Sequence, residues 1–212
     1  MPFQSDFSEA GKLTFPHFYG VRVMMMPVLL EDATTVPIKQ WREPFRQLAK
    51  MSPVKRGTAY LTIDEALVDA GETHRRPGLH VDGIGPDGRE GGWGGGGGWG
   101  SGGMLVAANV TGCRAWAQEF DGYPRANGEC EHLRAQLGKA RRLHANRVYM
   151  CGPLTVHESI PMHRAARRSF VRLSMPNDCP WYEGYSRNPL GIEPTGPIHA
   201  AREQFMAYRR AA

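Results

Sequence analysis

Short runs in which apolar and polar residues alternate dominate this chain, and alternation at every second position marks a half-buried strand. The clearest run is 169–175, where Phe170, Arg172 and Ser174 share one face while Val171, Leu173 and Met175 share the other. Strands are also expected over 21–30, with Pro27 marking a bulge or a sheet edge, and over 57–61, 104–110 and 114–120. Two more, 148–150 and 154–156, flank a turn at Gly152-Pro153. Residues 1–19 are polar and aromatic without a clear period and read as an ordered arm or a short strand.

Longer periods predict helices between and around these strands. Over 37–51, Ile38, Trp41, Phe45 and Leu48 form one apolar stripe, which Pro44 is expected to bend. Thr62 and Glu65 have the spacing of a capping box, opening a helix that Gly71 ends. Cys130, Leu133, Leu137 and Ala140 line one face of a helix over 130–145, and Ile198, Ala201, Phe205 and Tyr208 line another over 197–210. Many short strands in the middle, with helices at the ends and edges, predict a mainly β barrel or sandwich with flanking helices.

Composition adds limits. A chain of 212 residues with 41% hydrophobic and 22% charged content suits a single domain over 1–212. The net charge is +5 and only five of the 26 basic residues are lysine. Arginine favours carboxylate and phosphate partners, but no run of like charges marks a nucleic-acid surface, so nucleic acid is not the expected partner. The apolar run 23–30 is far shorter than the ~20 residues of a membrane span. Cys113, Cys130, Cys151 and Cys179 lack the close spacing of a zinc knuckle, and no signal-peptide pattern precedes them, so a reduced, cytoplasmic protein is expected. The oligomeric state is left open.

The glycine-tryptophan run 91–103 matches GxGxxG trivially, yet a strand-like stretch follows it instead of the helix a dinucleotide site needs. It reads either as a plain surface loop or as a lid that presents Trp93 and Trp99 to a substrate.

Candidate chemistry centres on His80 and Asp82. Two residues apart on an expected strand, they face the same way. With eight histidines and 21 acidic residues among 212, composition alone predicts about 0.8 such His-x-acid pairs, so the pair gains weight only from its surroundings. A second imidazole, His157, closes an expected strand far along the chain and would complete a two-His-one-carboxylate triad, a set that holds Fe(II) with coordination positions left open. His157-Glu158 is not the start of a zinc HExxH motif, because Pro161 stands where the second histidine belongs, and His163 lies beyond in the turn.

The order of these parts resembles the Fe(II)/2-oxoglutarate-dependent dioxygenase superfamily: a His-x-Asp pair, a long gap, a distal histidine, then an arginine beyond it. The resemblance covers residues 57–176. It is carried by Arg75-Arg76-Pro77-Gly78-Leu79-His80, Gly102-Gly103-Met104-Leu105-Val106-Ala107-Ala108-Asn109, His157-Glu158-Ser159-Ile160-Pro161-Met162 and Arg168-Ser169-Phe170-Val171-Arg172-Leu173. It implies a double-stranded β-helix (jelly-roll) core with 1–56 and 177–212 packed on it, and Fe(II) on His80, Asp82 and His157. 2-Oxoglutarate would be the cosubstrate and a small or amino-acid-like molecule the substrate. Arg172 with Ser174 matches the family's arrangement for the distal carboxylate of 2-oxoglutarate. It lies fifteen residues past His157, however, a longer gap than usual, and Arg168, eleven past, is the rival. Asn109 and Tyr149 are expected near the cosubstrate, Arg114 and His74 near the substrate. No catalytic residue beyond the metal ligands is implied. Because Asp82 is present where halogenating relatives lack the carboxylate, hydroxylation, desaturation or ring formation is expected. Two other readings stay open: a jelly-roll that binds an anion or peptide without turnover, and a cupin-like metalloenzyme using the triad without 2-oxoglutarate.

Overall fold

The computed structural model describes residues 2–82, 103–125, 128–175, 181–196 and 198–199. The chain is mainly β. Strands β1 (Pro2–Ser5), β2 (Phe7–Lys12) and β3 (Arg22–Leu29) precede helix α1 (Arg42–Met51) and the long strand β4 (Thr58–Val68). Strands β5 (Met104–Ala108), β6 (Cys113–Trp116), β7 (Gln118–Asp121), β8 (Arg141–Arg142), β9 (Arg147–Cys151), β10 (Val156–Ser159) and β11 (Ala166–Ser174) follow. Two short strands, β12 (Trp181–Tyr182) and β13 (Ile198–His199), pair in parallel.

One antiparallel sheet in the order β2-β9-β5-β11-β4-β3 forms the larger layer. Its outer face carries Leu61, Ile63, Leu105, Val148, Val171 and Leu173, which pack with Trp41, Phe45 and Leu48 of the helical region. Register fixes the inner face. Phe170, Arg172 and Ser174 of β11 lie level with Ala108, Val106 and Met104 of β5 and with Asp64, Thr62 and Tyr60 of β4. The smaller sheet, β10-β6-β8, supplies the facing wall, and Ala115 of β6 packs with Met104, Tyr149 and Cys151 of the larger sheet.

The alternation read over 169–175 holds, and β11 is the strand that carries both arginines. Pro27 lies on an edge strand, as expected, but the bulge falls earlier, between Val23 and Met26, with Met25 at φ 50°. That edge is sealed: Ser186 exchanges hydrogen bonds with the Met24 backbone, the Trp181 indole donates to the Met25 carbonyl, and Asn188 donates to the Pro27 carbonyl. Pro44 does not break α1. It is the helix's third residue, where the amide has no intrahelical acceptor to lose.

Three helix expectations fail or go untouched. Residues 62–68 belong to β4, because Thr62 and Asp64 turn inward and the Glu65 carboxylate accepts from the Tyr19 and Val21 amides of the N-terminal arm. Over 130–145 only Glu131–Gln136 is helical, as a 3-10 turn that buries Leu133, before the chain extends into β8. The helix read over 197–210 lies outside the described residues, except that Ile198–His199 is strand. Among the described residues no helix is long and apolar enough to cross a membrane.

Candidate metal centre

His80 is not on a strand of its own. Residues 79–81 form a strip between β10 and residues 128–130: His80 and His157 exchange both backbone hydrogen bonds, the Val81 amide donates to the Gly128 carbonyl, and the Cys130 amide donates to the Leu79 carbonyl. Residues directly opposite in an antiparallel pair project to the same side, so the two imidazoles meet, with ring centroids 4.3 Å apart. Gly78, at φ 80°, prepares the approach. A Cβ there would come within 3.0 Å of the Glu131 carboxylate, which instead closes over the turn and accepts from the Leu79 amide at 2.6 Å.

Each imidazole is oriented by its own chain. His80 Nδ1 lies 2.7 Å from the Gly78 carbonyl and His157 Nδ1 lies 2.8 Å from the Thr155 carbonyl. A carbonyl only accepts, so both Nδ1 atoms carry a proton and both Nε2 atoms are left to face the interior. Both Nε2 atoms face Asp82: His80 Nε2 is 3.9 Å from Oδ1 and His157 Nε2 is 3.7 Å from Oδ2. One ligand atom from each of the three residues lies within 4.8 Å of the others, and this is the one such group among the described residues. Burial pushes the His80 imidazole down to about 4, keeping it neutral at physiological pH. Burial pushes the Asp82 carboxyl up, but His157 and Arg172 outweigh it and hold the carboxyl well below the usual range. Two imidazoles and one carboxylate, with Nδ1 of each ring already committed to the backbone, suit a first-row divalent cation.

Arg172 is fully buried, and its Nη1 donates to Asp82 Oδ2 at 3.1 Å. Its Nη2 reaches the Met25 thioether at 3.3 Å, and its Nε has no partner among the described residues. The β3 bulge brings that sulfur inward. Arg172 therefore holds the carboxylate that would hold the metal.

Arg168 is placed differently. It is 2% exposed, and its hydrogen-bond partners among the described residues are neutral: Nε donates to the Val110 carbonyl at 3.2 Å and Nη1 to His74 Nδ1 at 2.8 Å. Gly112 makes room for it, since a Cβ there would stand 3.0 Å from the guanidinium Nε. Because an arginine only donates, His74 Nδ1 accepts, and its Nε2 side faces Asp64 Oδ1 at 3.5 Å. Asp64 also binds Arg75 at 2.7 Å and Arg22 at 3.0 Å. Burial lowers the Arg168 guanidinium to about 10, which leaves it charged at neutral pH.

The chain matches no family model, no curated protein and no solved structure.

Two cavities meet at the triad. One, of about 60 Å³, runs between the two sheets and is walled by Met104, Val106, Ala115, Leu143, Tyr149 and Phe170, together with Asp82, His157 and Arg168. The other, also about 60 Å³, is lined by Arg75, Arg76, Arg168 and Arg172 together with all three triad residues.

The remaining sequence candidates separate. Tyr149 lines the first cavity, with its hydroxyl accepting from the His144 amide at 3.0 Å. Ser174 is buried beside Met25, 4.0 Å from its sulfur, and lines neither cavity. Asn109 clamps β5 to β11, accepting from the Ser169 amide and donating to the Arg167 carbonyl. Arg114 sits on the outer face of the smaller sheet, paired across strands with Glu158, because Cys113 and Ala115 take the inward positions of β6. His163 is exposed. Trp93 and Trp99 lie outside the described residues. Sequence reasoning missed Met25, hidden in an apolar run, and Asp64, read as part of a helix start.

Proposed function

We propose that this chain is an Fe(II)/2-oxoglutarate-dependent oxygenase that acts on a small molecule. In this reading the two facing antiparallel sheets form a double-stranded β-helix core, and His80, Asp82 and His157 hold the iron. The observation that carries it is one shared focus: two imidazoles whose Nδ1 atoms are spent on backbone carbonyls turn their Nε2 atoms toward one ionised carboxylate. A buried arginine without a carboxylate partner among the described residues shares the cavity beside them. A guanidinium left that way inside a protein is costly and calls for an anion.

His80, Asp82 and His157 would hold the Fe(II), and its remaining coordination positions would supply binding sites for the 2-oxo acid, which chelates it, and for dioxygen. The balanced outcome is 2-oxoglutarate, dioxygen and a substrate C–H going to succinate, carbon dioxide and C–OH. The chain's own part is placement and exclusion. Arg172 fixes the Asp82 carboxylate. Arg168 offers the cosubstrate's distal carboxylate a charge-assisted, fork-shaped partner, and so takes the role that its position in sequence made it share with Arg172. Asp64 and His74 orient Arg168, and the apolar cavity wall keeps water from the reacting atoms. The test is succinate release from 2-oxoglutarate by the Fe(II)-loaded protein. The reading expects release that Asp82→Ala abolishes, and the same release from that variant as from wild type would defeat it.

A further inference from the structure

The triad stands at the junction of two cavities with opposite chemistry. Asp82, Cys113, His157, Arg168 and Phe170 belong to both walls. On one side the remaining lining is Arg75, Arg76, Arg172, Ser159 and His80. On the other, apart from His144, Arg147 and Thr155, it is largely hydrocarbon and thiol, and it is kept open by the small Ala108 and Ala115, with Gly152. A void of this kind costs stability that one larger side chain would recover, and apolar cavities stay dry and take apolar guests.

We infer that two ligands of opposite character meet at this centre: the anionic cosubstrate enters the arginine-lined cavity, and the substrate presents an uncharged, hydrocarbon-rich segment that fills the apolar one. The inference rests on the oxygenase reading and adds the chemical class of the substrate. A dianion such as 2-oxoglutarate gains nothing from a hydrocarbon wall and loses its hydration there, whereas Arg75, Arg76 and Arg172 join Arg168 around the other cavity. An alkyl or aromatic group in the inter-sheet cavity would lie against His157 and Asp82 and would need no charged partner. Val106 is the residue to enlarge. It lies level with Arg172 on β11 and with Tyr149 on β9, on the cavity face of β5.

Xenon is a suitable probe for a cavity of this size. The Fe(II)-loaded protein is held without oxygen and titrated with 2-oxoglutarate, followed by its visible charge-transfer band, and xenon binding is followed by xenon NMR. The expected result is saturable xenon binding that persists when 2-oxoglutarate is bound. Val106→Phe should lose the xenon signal while keeping its 2-oxoglutarate affinity within about twofold, and Arg168→Gln should show the reverse. Displacement of xenon by 2-oxoglutarate, or a tenfold loss of 2-oxoglutarate affinity in Val106→Phe, would overturn the assignment of the two cavities while leaving the oxygenase reading intact. A wild type with no 2-oxoglutarate band at all would remove that reading, and this inference with it.

Discussion

Arg172 and Asp82, ninety residues apart in sequence, form a buried ion pair with Nη1 3.1 Å from Oδ2. The carboxylate that completes the triad is thus also the counter-ion of a guanidinium sealed from solvent. Removing it strikes the fold as well as the centre. Asp82→Ala should destabilise the protein without added metal by about 3–5 kcal/mol, the usual cost of orphaning one member of a buried pair. His157→Ala, which leaves that pair intact, should cost clearly less. Denaturant unfolding of both variants in chelator checks this, and equal losses would mean that Arg172 does not depend on Asp82.

Arg168 and Arg172 share a strand face but not a partner: Arg172 binds Asp82, Arg168 the Val110 carbonyl and His74. Replacing Arg168 by alanine should raise the 2-oxoglutarate requirement roughly 100-fold, as expected for losing a charged hydrogen bond of about 2–3 kcal/mol, with iron affinity nearly unchanged. Arg172→Ala should instead weaken iron binding itself. Separate titrations of iron and of 2-oxoglutarate distinguish the two, and a larger cosubstrate effect from Arg172 would reverse the assignment.

His74 positions Arg168 without touching a ligand. Its Nδ1 accepts from the guanidinium while its Nε2 side faces Asp64. A glutamine has one acceptor and one donor in a similar arrangement, so His74→Gln should keep the 2-oxoglutarate KM within about threefold, whereas His74→Leu should raise it about tenfold, near 1.4 kcal/mol, with little change in kcat. If leucine and glutamine behave alike, the residue only packs.

Glu131 ties the turn before His80 to pH. Its bonds to Arg134 and to the Leu79 amide lower its carboxyl from the ordinary 4.5 to about 2. A carboxyl depressed on folding contributes stability that is present above its unfolded value and is lost as the pH falls through the folded one. Melting temperatures should therefore drop between about pH 4.5 and pH 2 more steeply in wild type than in Glu131→Gln. Parallel curves would show that this carboxylate does not hold the turn.

The sequence made the ingredients of the centre visible and concealed how they are held. His80, Asp82 and His157 could be picked out because a strand-like period and a known ligand set coincide at them, and β11 could be drawn because its alternation is clean. Thr62 to Glu65 was misleading because a capping box is a local signal, while Glu65 spends its carboxylate on amides of the arm forty-four and more residues upstream. The stripe from Cys130 failed for a similar reason: Leu133 is buried against Phe120 and Trp116, a contact that one 3-10 turn provides. Arg114 could not be assigned a face from sequence, since that depends on which side of β6 meets the larger sheet. The Met25 bulge and the His74–Arg168 bond are tertiary in origin, with no local pattern to announce them.

If His80, Asp82 and His157 gather one ferrous ion with room for a 2-oxo acid beside it, anaerobic titration of the protein with Fe(II), followed by addition of 2-oxoglutarate, should read out both. The expected result is one iron per chain, a visible charge-transfer band that appears only when 2-oxoglutarate is added, and loss of both in His157→Ala. Iron that binds without any response to 2-oxoglutarate, or a band that survives in His157→Ala, would contradict it.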